Sequence, residues 1–243
     1  MERTKVVVVG AAGRMGRRVV SLLEGHATLT LGRAFDRDDD PEAAIAGSHV
    51  VIDFAAPAVS ARIAPICARQ GTAYLVASTA LTSADESALD LAAQSVPVLQ
   101  AANLSIGVNV LAELVADAAA RLAGFDVEIS EIHHRHKRDA PSGTALALGA
   151  AARRGRPALK DVPGRAGSNV RVDDELGYAA MRGGDVAGDH TVYFFGEGER
   201  IELTHRATTP DIFARGALIA AAWLVKKPAG RYTMRDVLQV ARR

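Results

Sequence analysis

The stretch "VVVVGAAGRMGRR", Val6 to Arg18, decides the fold. Four β-branched residues in succession predict a short strand. Gly10 ends it, and from Arg14 to Glu24 apolar residues recur at Met15, Val19, Leu22 and Leu23, the spacing of a helix with one buried stripe. Gly25 is placed to cap that helix. A strand, a glycine turn and a helix in that order bring backbone N–H groups and a helix N-terminus to one spot, where they can receive a pyrophosphate. The spacing is GxxGxxG, and Gly10, Gly13 and Gly16 would also serve a tight turn for steric reasons alone. Asp36 weighs for the ligand: it closes the next predicted strand twenty residues after Gly16, where a carboxylate accepts hydrogen bonds from an adenosine ribose. The segment therefore predicts a nicotinamide dinucleotide site. Arg37 suits a 2′-phosphate, adenine stacking or plain solvation, so NADH and NADPH both stay open.

Outward from this unit the alternation continues. "TLTLGRAFD", "HVVIDFAAP", "TAYLVAST" and "VPVLQAAN" read as strands, Asp40-Pro41 as a helix start, Pro57 to Gln70 as a crossover helix, and Ser83-Ala-Asp-Glu86 as a capping box. Strands alternating with helices predict a doubly wound parallel sheet. After about residue 104 the pattern changes. A helix from Ile106 to Ala123, a strand "DVEISEIHH", a small-residue helix after Ser142 and a Gly/Pro/Arg-rich loop up to Asn169 come first. "HTVYFFGEGERIELTHRA" then reads as two strands joined by a Gly-Glu-Gly turn, which predicts an α+β domain on a mixed or antiparallel sheet. The tail from Pro210 returns to helix and is expected to pack on the first domain.

Bulk properties limit the partners. The 243 residues are 49% hydrophobic with a formal charge of +1, enough for a real core and too balanced for a global pull on nucleic acid or an anionic membrane. Cys67 is the only cysteine and sits in an apolar segment, which excludes an intrachain disulfide and a cysteine zinc cluster and suits a reducing cytoplasm. "MERTKVVVVG" lacks the long apolar stretch of an export signal, and the run from Gly216 to Val225 is far short of the roughly 20 residues of a spanning helix.

Anion recognition must then be local, and "EIHHRHKRDAPSGTAL", Glu131 to Leu146, offers it. On a strand Glu131 and His133 share one face. Glu131, His133 and His136 have ligand-type side chains, but Arg135, Lys137 and Arg138 would crowd a dication, so no metal is expected. Arg135 and Arg138 taken singly read as a solvated basic loop. Ser142-Gly143-Thr144 opens a helix whose N–H groups and hydroxyls suit a carboxylate, although capping is the ordinary task of such a serine. Together these residues predict a site for a small dicarboxylate with a lysine or histidine able to deliver a proton.

"EIHHRHKRDAPSGTA" closely resembles the signature of the bacterial dihydrodipicolinate reductase family of the diaminopimelate route to lysine. The likeness extends through "GAAGRMGR", "VIDF" at Val51 to Phe54, "AANLSIGVNV" at Ala101 to Val110, "RGGDVAGDHTVYF" at Arg182 to Phe194 and "GERIELTHRA" at Gly198 to Ala207. It implies a Rossmann-like cofactor domain from residues 1–104 and 210–243, a substrate domain of 105–209, hinge closure, and a cytoplasmic homotetramer joined through the substrate-domain sheets. It also implies hydride transfer from NADH or NADPH to a cyclic imine dicarboxylate, with His133 and Lys137 as the catalytic pair and Lys137 as proton donor. His134, Lys137, Ser142, Gly143 and Thr144 match substrate-binding positions. Gly10, Ala11, Ala12, Gly13, Arg14, Met15, Asp36, Arg37, Ala77, Ser78, Thr79, Ala101, Ala102, Asn103 and Leu104 match cofactor contacts.

The chain departs from the family pattern on the cofactor side. Ala77-Ser78-Thr79-Ala80 stands where Gly-Thr-Thr-Gly is usual, Leu104 replaces a Phe, Pro210 replaces an Arg, and the stretch from Gly32 to His49 is short. Added methyls obstruct close backbone approach, so a weakened or altered cofactor preference is expected. A related imine oxidoreductase and a dinucleotide sensor without turnover are the competing readings.

Overall fold

The structure, a computed structural model, describes residues 3–36, 39–78 and 81–239. Arg37, Thr79 and Ala80, singled out in the sequence, lie outside the described residues. The chain divides into two compact units, Met1–Ile106 with Asp211–Arg243, and Gly107–Pro210.

In the first unit the elements follow as β1 (Thr4–Val9), α1 (Arg14–Leu23), β2 (Leu29–Phe35), α2 (Pro41–Ile45), β3 (Val50–Asp53), α3 (Pro57–Gln70), β4 (Ala73–Val76), α4 (Ser83–Ala92) and β5 (Pro97–Gln100). The second unit is formed by α5 (Ile106–Arg121), β6 (Asp126–His133), α6 (Gly143–Gly155), β7 (Lys160–Pro163), β8 (Glu175–Arg182), β9 (Gly188–Gly196) and β10 (Glu199–Ala207). α7 (Asp211–Leu224), β11 (Gly230–Tyr232) and α8 (Met234–Val237) return to the first unit.

The first sheet has the order β11-β5-β4-β3-β1-β2 with every pairing parallel, so the expected Rossmann-like, doubly wound arrangement is present. The valine run explains its centre. Val6 and Val8 join a core with Val19 and Leu23 of α1 and Ala217 and Leu224 of α7, while Val7 and Val9 join another with Ile63 of α3 and Leu89 of α4. A strand buried on both faces must be apolar at successive positions, and each such side chain contributes about 1.5–3 kcal/mol by burial. Chain order reverses between β1 and β3, which puts the switch point at the carboxyl ends of those strands, just beyond Val9 and Asp53.

The second sheet has the order β10-β9-β6-β8-β7, parallel at β6–β8 and β7–β8 and antiparallel elsewhere, the expected mixed sheet. Val127 and Ile129 of β6, Leu176 and Tyr178 of β8, and Val192 and Phe194 of β9 face Leu148 and Ala152 of α6 and Val115 of α5.

Several local expectations need correction. The box opening α4 is built from Thr82 and Asp85, one residue before the predicted Ser83: the Thr82 amide donates to Asp85 Oδ2 at 2.8 Å and its hydroxyl accepts from the Asp85 amide. β6 stops at His133, so His134 lies past the strand, while α5 ends at Arg121, within two residues of its expected end. β7 interrupts the predicted loop before Asn169, and β11 adds a strand to the tail that read only as helix.

Candidate active site

In the second unit, strand register assembles a polar cluster at the end of the core-facing row of β6. Glu131 is opposite His190 of β9 and His133 is opposite Arg182 of β8, so four polar residues stand where the inward apolar row stops. Glu131 is 1% exposed. Its carboxylate accepts two bonds from the Arg182 guanidinium, at 2.7 and 2.8 Å, one from the Ser142 amide at 3.1 Å, and one from His133 Nδ1. Burial works to raise its pKa, but Arg182 and then His133 outweigh burial and hold the carboxyl below its usual range. His133 is pulled below the ordinary histidine value, by burial first, against the opposing pull of Glu131. The two shifts together keep the glutamate ionised and favour the uncharged imidazole.

The turn after β6 carries the lysine. His134 and Arg135 donate backbone bonds to Val186 and Gly184 of the β8–β9 connection, and the Lys137 amide returns to the His134 carbonyl at 3.1 Å. Lys137 Nζ stands 2.9 Å from Asp139 with its side chain 21% exposed, and Arg182 also donates to the Asp139 carbonyl at 2.7 Å. Arg135 and Arg138 are exposed, as the solvated basic loop reading has it, and so is His136.

Helix α6 begins at this cluster. Ser142 is its N-cap, with the hydroxyl accepting from the Ala145 amide at 3.1 Å and standing 2.9 Å from His190 Nε2. Ser142 is itself 1% exposed, so its hydrogen bonds all run inward; Gly143 is exposed and Thr144 half-buried at the surface of the helix start. Glu131 and His133, weighed above as metal ligands, are engaged with each other. Among the described residues no group of three His, Cys, Asp or Glu is placed to hold a metal ion.

In the first unit the glycine loop leads from β1 into α1. Gly10 has φ +74°, and a Cβ on Gly16 would stand 2.2 Å from the Gly10 carbonyl oxygen, so this helix packs on its loop only with glycine there. Both Asp36 oxygens accept from the Ala12 amide, at 3.0 and 3.2 Å. The N-cap of α1, Gly13, provides no side-chain cap, and the first turn carries no acidic residue, the arrangement that suits an anionic group at a helix N-terminus. Beside it a cavity of about 260 Å³ is lined by Met15, Ala77, Ala101, Ala102, Asn103 and Leu104, all expected from sequence, and by Phe54 and Phe213, which were not. The Ser78 hydroxyl turns inward to the Ala55 carbonyl at 2.6 Å and to Ser60 at 2.7 Å. Under this wall Asp53 is fully buried, accepts from Tyr74 Oη at 2.6 Å and from the Ala55 amide at 2.7 Å, and has its carboxyl pushed up by burial.

Comparison with known proteins supplies the decisive observation. A family profile described as "Dihydrodipicolinate reductase, N-terminus" matches residues 4–104, and one described as "Dihydrodipicolinate reductase, C-terminus" matches residues 107–238. The chain belongs to the dihydrodipicolinate reductase family. A 4-hydroxy-tetrahydrodipicolinate reductase of Anaeromyxobacter dehalogenans strain 2CP-1 is 47% identical over 97% of each chain, and one of Zymomonas mobilis is 44% identical over 96% of each. The structure of a dipicolinate-bound dihydrodipicolinate reductase from Paenisporosarcina sp. TG-14 superimposes with a TM-score of 0.82 at 20% identity, covering 96% of this chain and 98% of that one, a likeness of fold.

For this family member, sequence reasoning gave no role to Arg182 and His190, which the structure places at the reductase signature. Both lie in the quoted "RGGDVAGDHTVYF", and the available signal was that a buried Glu131 needs a cation within reach. Among the described residues no helix is long and apolar enough to cross a membrane.

Proposed function

We propose that this chain carries out the reaction for which its relatives are named, reduction of 4-hydroxy-tetrahydrodipicolinate with a reduced nicotinamide dinucleotide. The observation that carries the reading is the conjunction, in one unit, of the Lys137 ammonium, a neutral His133 and the start of α6. The dinucleotide would be held by the glycine loop, the uncapped first turn of α1 and the apolar cavity from Met15 to Phe213, and when bound it supplies hydride. Arg14 and Ala12 are exposed at that turn, and Ala11 is half-buried.

The residues of the second unit do the remaining work. The substrate is a dicarboxylate, and His134 with the Gly143–Thr144 helix start offers hydrogen-bond donors to its carboxylates. Loss of the 4-hydroxyl as water leaves the conjugated ring; negative charge grows there as hydride is added, and an ammonium at Lys137 both stabilises that charge and gives up the proton that completes reduction. Asp139 holds Lys137 in place meanwhile. His133 lines the same site as a neutral ring, so it accepts a hydrogen bond without adding a second cation.

Either nucleotide is compatible with this reading: Asp36 engages the loop through the Ala12 amide. No metal enters the reading. The lone cysteine is buried and its thiol pushed up by burial, in keeping with a cytoplasmic protein that has no thiol chemistry. A homotetramer is supported by the sheet face opposite the helices, where Met181 is 50% and Phe195 37% exposed and Phe195 stacks on Tyr193 at 5.5 Å. Turnover of NADH and NADPH, followed by nicotinamide absorbance with substrate generated freshly from pyruvate and aspartate semialdehyde, tests the reading. Oxidation that requires the coupled substrate supports it, and tight nucleotide binding without oxidation overturns it.

A further inference from the structure

The mechanism above uses His133 and Lys137 but gives no task to the buried carboxylate behind them. Glu131 joins three segments distant in sequence: β6 through His133, the start of α6 through the Ser142 amide, and the end of β8 through Arg182. Arg182 extends the connection to the Asp139 carbonyl, on the turn that carries Lys137. A salt bridge placed only for stability would not need this arrangement, since replacement by apolar side chains of equal volume commonly serves stability as well.

We propose that Glu131 is a positioning residue, held anionic by Arg182, that fixes His133 as the Nδ1–H tautomer and so presents the Nε2 lone pair to the site. Nε2 has room there because residue 188 is glycine: a Cβ at that position would stand 2.9 Å from it. His190 packs edge-on against the ring at 5.0 Å between centroids, and the Nδ1 hydrogen bond of His133 runs to Glu131. The inference rests on the functional reading above, and its main readout is independent of turnover.

The test is Glu131→Gln. Oε1 of Glu131 accepts from Arg182 Nη2 and the Ser142 amide, and Oε2 faces Arg182 Nη1 and His133 Nδ1, so a glutamine that keeps its carbonyl oxygen toward the two Oε1 donors loses the Nη1 bond and turns its NH2 toward His133 Nδ1. That amide donates, Nδ1 becomes the acceptor, and the ring proton is forced to Nε2. Histidine-ring nitrogen NMR of the full chain, with the His133 signal assigned through His133→Asn, should show Nδ1–H in the unmodified protein at neutral pH and Nε2–H in Glu131→Gln. kcat should fall by up to about 10⁴-fold, the scale of a wrong tautomer at a catalytic histidine, while the dissociation constant for reduced nucleotide stays unchanged. An Nε2–H signal for His133 in the unmodified protein overturns the proposal even if the variant does not fold. So does an unchanged tautomer or an unchanged kcat in a folded Glu131→Gln. An inactive unmodified protein with the Nδ1–H tautomer intact would instead sink the functional reading and leave the tautomer assignment standing.

Discussion

Ser142 Oγ and His190 Nε2 stand 2.9 Å apart, both on buried residues, and this pair ties the N-cap of α6 to β9. The hydrogen bond forms with the hydroxyl donating to Nε2 or with a ring Nε2–H donating to the hydroxyl oxygen. Burial, helped by the charges of His133, His205 and Lys137 and opposed by Glu131, brings the His190 pKa from 6.5 down to about 4.

That depression has a definite sign. Below pH 6.5 the unfolded chain protonates His190 and the folded chain does not, so the stabilisation is complete above 6.5 and is lost as pH falls toward 4. Its full size is about 3 kcal/mol. Thermal unfolding followed from pH 7 down to 4 should show a falling midpoint whose slope is shallower in His190→Gln. Equal slopes in the two proteins would show that His190 is not the titrating group.

Lys137→Ala should lower kcat by roughly 10²–10⁴-fold, the range for loss of a positioned general acid, with the nucleotide dissociation constant unchanged. Steady-state oxidation of nicotinamide together with nucleotide fluorescence separates the two effects. A variant that keeps kcat and loses only substrate affinity would reassign Lys137 to binding alone.

Gly16→Ala places a methyl 2.2 Å from the Gly10 carbonyl oxygen, a contact relieved only by moving α1 away from its loop. Overpacking of this kind costs about 1–3 kcal/mol, and nucleotide affinity should fall at least tenfold as the helix N-terminus shifts. Equilibrium unfolding and nucleotide titration report the two separately; an affinity equal to that of the unmodified chain would argue that the loop serves only packing.

Gly188→Ala meets two obstacles, a backbone at φ +154° and the His133 ring nitrogen 2.9 Å from the new Cβ. Activity should fall through displacement of His133 while nucleotide binding persists. Full activity in this variant would mean that Nε2 needs no clearance.

Much of the fold is legible in the chain because its elements are dictated locally. Four valines in a row, the glycines that follow and the apolar spacing after Arg14 specify β1, its turn and α1 without reference to the rest of the molecule. β7 and β11 lack such local grounds. "KDVP" is largely exposed and ends in proline, "GRY" has three residues, and both are strands only because a neighbour supplies the ladder. The site divides the same way. His133, Lys137 and Ser142 share one short motif, whereas Arg182 lies 51 residues from Glu131 and reaches it through the parallel pairing of β6 with β8. Strand register is set by partners, and no single segment encodes it.

The excursion of the chain from the first unit after Ile106 and its return at Asp211 orders events during synthesis. The second unit is a continuous stretch with its own core, so it can fold as soon as it has left the ribosome. The first unit has no such freedom: Ala214, Ala217, Ala220 and Leu224 complete one of its two cores, and β11 completes its sheet. Five strands of the nucleotide-binding unit must therefore wait, half-covered, while the later-made insert matures ahead of them, and it is during this interval that the nascent chain is most in need of chaperone protection.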